Sequence, residues 1–178
     1  MLNEVPLTPR VYTLDQGYQP VDLLTYARGH LRAAEVLFGF DPHCFDSAGY
    51  IAHPSIELLI KAALNAAGHF SGGHDLFKLL EEAPTAGVLL GVSPAEKGTL
   101  FLLYRFQEGR YPMPKDPVQM GNPDLSPIQH LGDHFLEQLD PPLRDGFLNR
   151  DPLQKGGRIL MGKDREDTGK NRAQSIAV

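Results

Sequence analysis

The chain reads as an all-α protein, an up-and-down bundle of four to five helices between an extended N-terminal arm and a C-terminal tail. Three observations predict it. Apolar residues recur at spacings of three and four along several segments. Ser-Pro helix-start signals occur twice, at 93–94 and 126–127, and no alternating strand pattern competes with the helical ones. At 178 residues the chain is about one domain long.

Residues 1–19 hold Pro6, Pro9 and no helical period, which predicts an extended arm. Helical order begins after Pro20: Leu24, Ala27, Leu31, Ala34 and Phe38 fall on one stripe, and Gly39 is a suitable stop. The second helix contains "SAGYIAHPSIELLIKAALNAAG" and closes at Gly68, where a left-handed residue fits. Pro54 either kinks that helix or marks its first turn. A short third helix, "HDLFKLLEEAP", is capped by Asp75 and ended by Pro84.

"SPAE" at 93–96 and "SPIQ" at 126–129 each place Ser as N-cap, Pro at the first helical position, and Glu or Gln three residues after the cap. Both therefore predict a reciprocal capping box. The first of these helices turns Leu100, Leu103 and Tyr104 inward, the second Ile128, Leu131, Phe135 and Leu139. The proline-rich stretch "EGRYPMPKDPVQMGNPD" between them is long for a loop in a small domain. These elements place the domain at 20–140 and leave 141–178 as a flexible basic tail.

Charge narrows the function classes. Seventeen basic against 22 acidic residues give −5, so no global field attracts nucleic acid or an anionic membrane. The balance is uneven, with 9 − 17 = −8 in residues 1–140 and 8 − 5 = +3 in 141–178. Cys44 alone excludes an internal disulfide and a multi-cysteine zinc site. No basic leader runs into a long apolar segment and no 18-residue apolar run exists, so the expectation is a cytoplasmic protein with no membrane contact.

The apolar second helix carries a narrow polar row, His53, Glu57, Lys61 and Asn65, in steps of four. Glu57 precedes Lys61 at i, i+4, the favourable order for an intrahelical ion pair. The row is either the solvent face of a helix packed on three sides, or the lining of a cleft. His74 and Asp75 open the next helix after a Gly-Gly turn, and "YRFQEGRYP" brings Arg105, Arg110 and Tyr111 to the end of the fourth. Two guanidiniums there suit a phosphate. His53 and Glu57 could share a metal, but Lys61 would repel it and HExxH is absent, so no metal and no cofactor is expected. His43, His69 and His74 lie scattered in turns, where histidines need no special role.

The helix order, with Glu57, Leu58, Lys61, Ala62 and Gly68 in the second helix and His74, Asp75 and Leu76 in the third, resembles the HEPN domain, a small helical module of prokaryotic nucleotide-binding and RNase proteins. The resemblance covers about residues 20–140. It implies a two-fold homodimer with functional residues at a cleft. It also implies binding of a nucleotide, RNA or a partner nucleotidyltransferase in a stress, toxin-antitoxin or phage-defence setting. Its ligand-binding residues would be His53, Glu57, Lys61, His74, Asp75, Arg105, Arg110 and Tyr111. The ribonuclease branch of the family carries Arg, four to six residues, then His on a late helix. Here Arg105 and Arg110 have no histidine in that window. A metal-independent ribonuclease is therefore the alternative, with His74, Arg105 and Arg110 as a non-standard catalytic set.

Overall fold

The computed structural model describes residues 19–108 and 119–150. Among them the chain is all-helical, with six helices and no strand. They are α1 (Pro20–Phe40), α2 (Phe45–Ala66), α3 (Leu76–Glu82), α4 (Pro94–Glu108), α5 (Leu125–Gln138) and α6 (Pro141–Arg150). None is long and apolar enough to cross a membrane.

Helices α1 and α2 form a long hairpin around a single 3-10 turn at Pro42–Cys44. The turn is fixed by the Asp41 carboxylate, which accepts from the His43 N–H at 2.8 Å, and by the rings of Phe38 and Phe45, 5.4 Å apart. The predicted stripe Leu24, Ala27, Leu31, Ala34 and Phe38 is buried throughout. α2 is the centre of the bundle, touching α1, α3, α4 and α5. Its Ala52, Ile56, Leu59, Ile60 and Leu64 are almost fully removed from water.

Pro54 stands inside α2, neither starting nor ending it. Having no N–H, it leaves the carbonyl one turn earlier, that of Tyr50, without its usual helical donor. Tyr50 is on the exposed side, where water can satisfy that carbonyl. The helix closes as expected at Gly68, φ +78°. There the Gly68 N–H reaches the Asn65 carbonyl at 3.0 Å and the His69 N–H reaches that of Leu64 at 2.9 Å. These two bonds make a Schellman turn, and only a residue at ease with positive φ accommodates it.

The two Ser-Pro starts part company. At α4 the capping box forms: the Ser93 N–H donates to Glu96 Oε2 at 2.7 Å, and the Glu96 N–H to Ser93 Oγ at 3.3 Å. At α5 it does not, because the helix starts two residues earlier, at Leu125, after a 3-10 turn at Asn122–Asp124. The reciprocal acid there is Asp124, whose Oδ2 accepts from the Gly121 N–H at 2.7 Å. Pro127 still falls in the first turn, where its missing N–H costs nothing. Gln129 is thereby released to bond Glu35 Oε1 of α1 at 2.7 Å.

The domain boundary expected at residue 140 is followed by a further helix, residues 141–150 forming α6. Its Phe147 is buried, and the Arg28 guanidinium of α1 lies 4.9 Å from that ring's centroid. One large aromatic with partly buried Leu143 and Leu148 suffices to dock ten residues on α1, although apolar residues are otherwise sparse there. Burial, and secondarily Arg32, holds the Arg28 pKa below its usual value. The arm at 1–18 and the rest of the tail lie outside the described residues.

The stretch leading back to α5 is seated by Met120. Its N–H donates to Asp46 Oδ1 of α2 at 3.0 Å, and its side chain lies over Gly49. A Cβ at Gly49 would fall 2.7 Å from the Met120 sulfur. The α3–α4 loop is held by Gln138 of α5, whose side-chain amide accepts from the Gly91 N–H at 2.5 Å and donates to the Gly91 carbonyl at 3.1 Å.

Candidate functional site

The polar row of α2 is not a solvent face. His53 and Glu57 are buried, at 3% and 7% exposure, and Lys61 is half-buried. Burying a carboxylate is costly unless its oxygens are satisfied. Glu57 Oε1 accepts from Lys61 Nζ at 2.8 Å and from His74 Nδ1 at 2.9 Å, while His53 Nδ1 lies 3.8 Å from Oε2. An ionised Glu57 can only accept, so Nδ1 of His74 carries the proton and Nε2 is the acceptor nitrogen of a neutral ring. The His74 side chain is 63% exposed, so a buried ion pair holds a largely exposed imidazole in one tautomer and one orientation.

His74 comes from the α2–α3 loop, which is itself held at several points. His69 Nε2 lies 3.0 Å from Glu82 Oε2 of α3, and Ser71 Oγ donates to Glu82 Oε1 at 3.3 Å. The Gly73 N–H in turn donates to Ser71 Oγ at 3.3 Å. The bond from His69, then that from Ser71, hold the Glu82 carboxyl below its usual pKa against a desolvation effect that would raise it; Lys61 adds a smaller attraction of the same sign. On this tethered loop Phe70 is exposed, beside the site in sequence and unclaimed by the core.

Asp75 acts locally: its Oδ1 caps α3, accepting from the N–H groups of Phe77 at 3.0 Å and Lys78 at 3.2 Å. That bond ends the loop and turns α3 back against α2. Phe77 then meets Tyr104 of α4 edge-on, centroids 6.0 Å apart. Arg105, the next residue, stands half-buried in the last turn of α4 and takes no part in the hydrogen bonds around Glu57 given above. Arg110 and Tyr111 lie outside the described residues. The structure thus brings His53, Glu57, Lys61 and His74 together and assigns Asp75 to a helix cap.

His69, Ser71 and Glu82 are not singled out by the sequence as site residues. The available signal is "HFSGGH", two histidines closing a short loop between two helices that each carry an acid. A further carboxylate–histidine set lies between α4 and α5. Glu96 Oε1 is 2.5 Å from His134 Nδ1 and 3.8 Å from His130 Nε2. Burial pushes the Glu96 pKa up, but the bonds from Ser93 and the neighbouring His134 outweigh it, leaving the carboxyl below its ordinary value. Among the described residues no group of three or more His, Cys, Asp or Glu side chains is placed to hold a metal ion.

What the arrangement can do follows from His74. A neutral imidazole with Nδ1 committed offers Nε2 as a base or acceptor, and a protonated one offers a charged N–H to a phosphate. Lys61 supplies a cation behind it.

Fold and site together describe an all-helical bundle with a carboxylate-oriented histidine at its α2–α3 junction. In fold it is similar to the protein TT1696 of Thermus thermophilus, known from a crystal structure: the TM-score is 0.55 and the identity 23%, over 67% of this chain and 98% of that one. At that identity the likeness shows a shared fold and nothing about activity. No family model matches the chain, and no curated protein does.

Proposed function

We propose that the protein is a HEPN-like module, working as a two-fold homodimer, that binds a nucleotide, RNA or a partner nucleotidyltransferase in a prokaryotic stress, toxin-antitoxin or phage-defence setting, with the α2–α3 junction as the ligand site. One observation carries the ligand reading: the exposed imidazole of His74 is held by a buried Glu57–Lys61 pair. A buried ion pair adds little net stability compared with apolar residues of the same size. Its use is to fix the geometry of what it touches, and here that is a solvent-facing group able to meet a phosphate. Phe70, on the same loop and four residues before His74, adds an exposed aromatic ring suited to an unpaired base.

The test is a titration of labelled single-stranded RNA, and of ATP, by fluorescence anisotropy and calorimetry. Binding should weaken at least tenfold in His74→Ala and in Lys61→Ala. Wild-type protein that binds neither ligand, or variants that bind as well as wild type, would refute the reading.

A second reading, a metal-independent ribonuclease, is supported by the same Glu57–His74 bond, because a carboxylate-oriented imidazole with an open Nε2 suits general acid–base work on a 2′-hydroxyl. It predicts RNA cleavage in the presence of chelator, abolished by His74→Ala and Arg105→Ala with the fold intact. Intact RNA after prolonged incubation would leave binding alone.

A further inference from the structure

Helix α1 carries a second apolar line besides the stripe buried in the bundle. Opposite the buried stripe, the exposed positions Tyr26, Gly29, Ala33, Val36 and Phe40 follow one another at spacings of 3, 4, 3 and 4. Three of them are large and wet: Tyr26 is 42% exposed, Val36 68% and Phe40 79%. No charged residue interrupts this line, which has the seam spacing by which one helix packs on another.

The volumes along the seam select its occupant. Counted from Ala33 the positions stand at −7, −4, 0, +3 and +7, a nearly palindromic set. An antiparallel second copy related by a two-fold axis at Ala33 therefore sets Tyr26 against Phe40, Gly29 against Val36, and Ala33 against itself. The outer layers then pair ring with ring and small with larger, as close packing requires, and the two Ala33 residues let the helices approach at the axis. A parallel copy would set Gly29 on Gly29 and leave a void beside colliding Phe40 rings. The three large side chains expose roughly 350 Å² per protomer, taking about 200 Å² for a whole aromatic side chain. Doubled, that is about 700 Å² before Gly29 and Ala33 are added, the size of a weak, concentration-dependent contact.

We infer that α1 is the dimer surface, packing antiparallel on α1 of a second copy about an axis through Ala33. The inference rests on the homodimer proposed above and adds its surface and geometry. Helix axes about 8–10 Å apart, less two Cα radii of about 2.3 Å, leave facing Cα atoms about 3.4–5.4 Å apart, which overlaps disulfide reach at the wider spacings.

The full chain is used with Cys44→Ser, which removes the native thiol. Under oxidation Ala33→Cys should cross-link to itself. Tyr26→Cys and Phe40→Cys should each remain uncross-linked, their own mates being about 21 Å away along the helices, but should join when mixed. Sedimentation should give a concentration-dependent dimer across the micromolar range, weakened at least tenfold by Val36→Glu with unchanged helical content. A monomer at every concentration overturns the dimer and the seam together. A dimer that tolerates Val36→Glu, or in which Tyr26→Cys cross-links to itself, overturns the seam alone.

Discussion

Replacing Glu57 by alanine tests whether the α2 row is a structural ion pair or a surface ornament. The carboxylate is 7% exposed and accepts from Lys61 at 2.8 Å and His74 at 2.9 Å. Removing one partner of a fully buried pair costs about 3–5 kcal/mol, because the other charge is stranded. Lys61 is not fully stranded: its side chain is 13% exposed and Glu82 is close enough to feel its charge. The expected loss is therefore below that range, about 2–3 kcal/mol, of which the His74 bond supplies about 1 kcal/mol. For a chain of this size that lowers the melting temperature by about 4–12 °C, at 2–4 °C per kcal/mol. The assay is urea unfolding followed by circular dichroism, with the loss read from the midpoint at constant slope. Adding Lys61→Met to Glu57→Ala should recover part of the loss, because an apolar stem replaces the unpaired cation. A loss under about 0.5 kcal/mol, the level of a solvated i, i+4 pair, would refute the reasoning, as would failure of Lys61→Met to recover anything.

Three further outcomes are expected. The folded-state pKa of Glu96 lies below its unfolded value, so its contribution is complete above the ordinary carboxylate range and is lost as pH falls through the lower folded pKa. Between those limits urea midpoints of wild type should fall more steeply with acid than those of Glu96→Gln, and parallel curves would contradict the sign. Gly49→Ala should gain about 1 kcal/mol of helix propensity only when Met120→Ala has cleared the space, so the two substitutions should be non-additive by about that amount in a double-mutant cycle. Asp75→Ala should cost about 1 kcal/mol by leaving the Phe77 and Lys78 N–H groups uncapped, while Asp75→Asn should keep most of it in the same urea assay.

Local chemistry was readable in the sequence wherever one segment decides it. The Schellman turn at Gly68, the Asp75 cap and the Ser93–Glu96 box each involve residues within a few positions of one another, and each forms. The box at Ser126 failed because an upstream Pro123–Asp124 turn captured the helix start, a competition that the four-residue pattern does not contain. Helical period found the buried face of α1, and α2, α5 and α6 are the elements that cover it. The Glu57–Lys61 spacing was legible, whereas the bond to His74 spans 17 positions and depends on how the loop folds back. His69 was passed over for the same reason, its partner Glu82 being 13 positions away.

The loop from His69 to His74 is laced crosswise. Its first histidine, leaving α2, reaches forward to the acid of α3, and its second, entering α3, reaches back to the acid of α2. Neither half can peel from one helix while the other lace holds, so the exposed Gly72–Gly73 pair, which looks like an easy point for a protease, should open only when both laces part together. The loop thereby behaves as a buckle with two straps: His69→Ala or His74→Ala alone should leave it largely resistant to cleavage, and only the two combined should let it swing free.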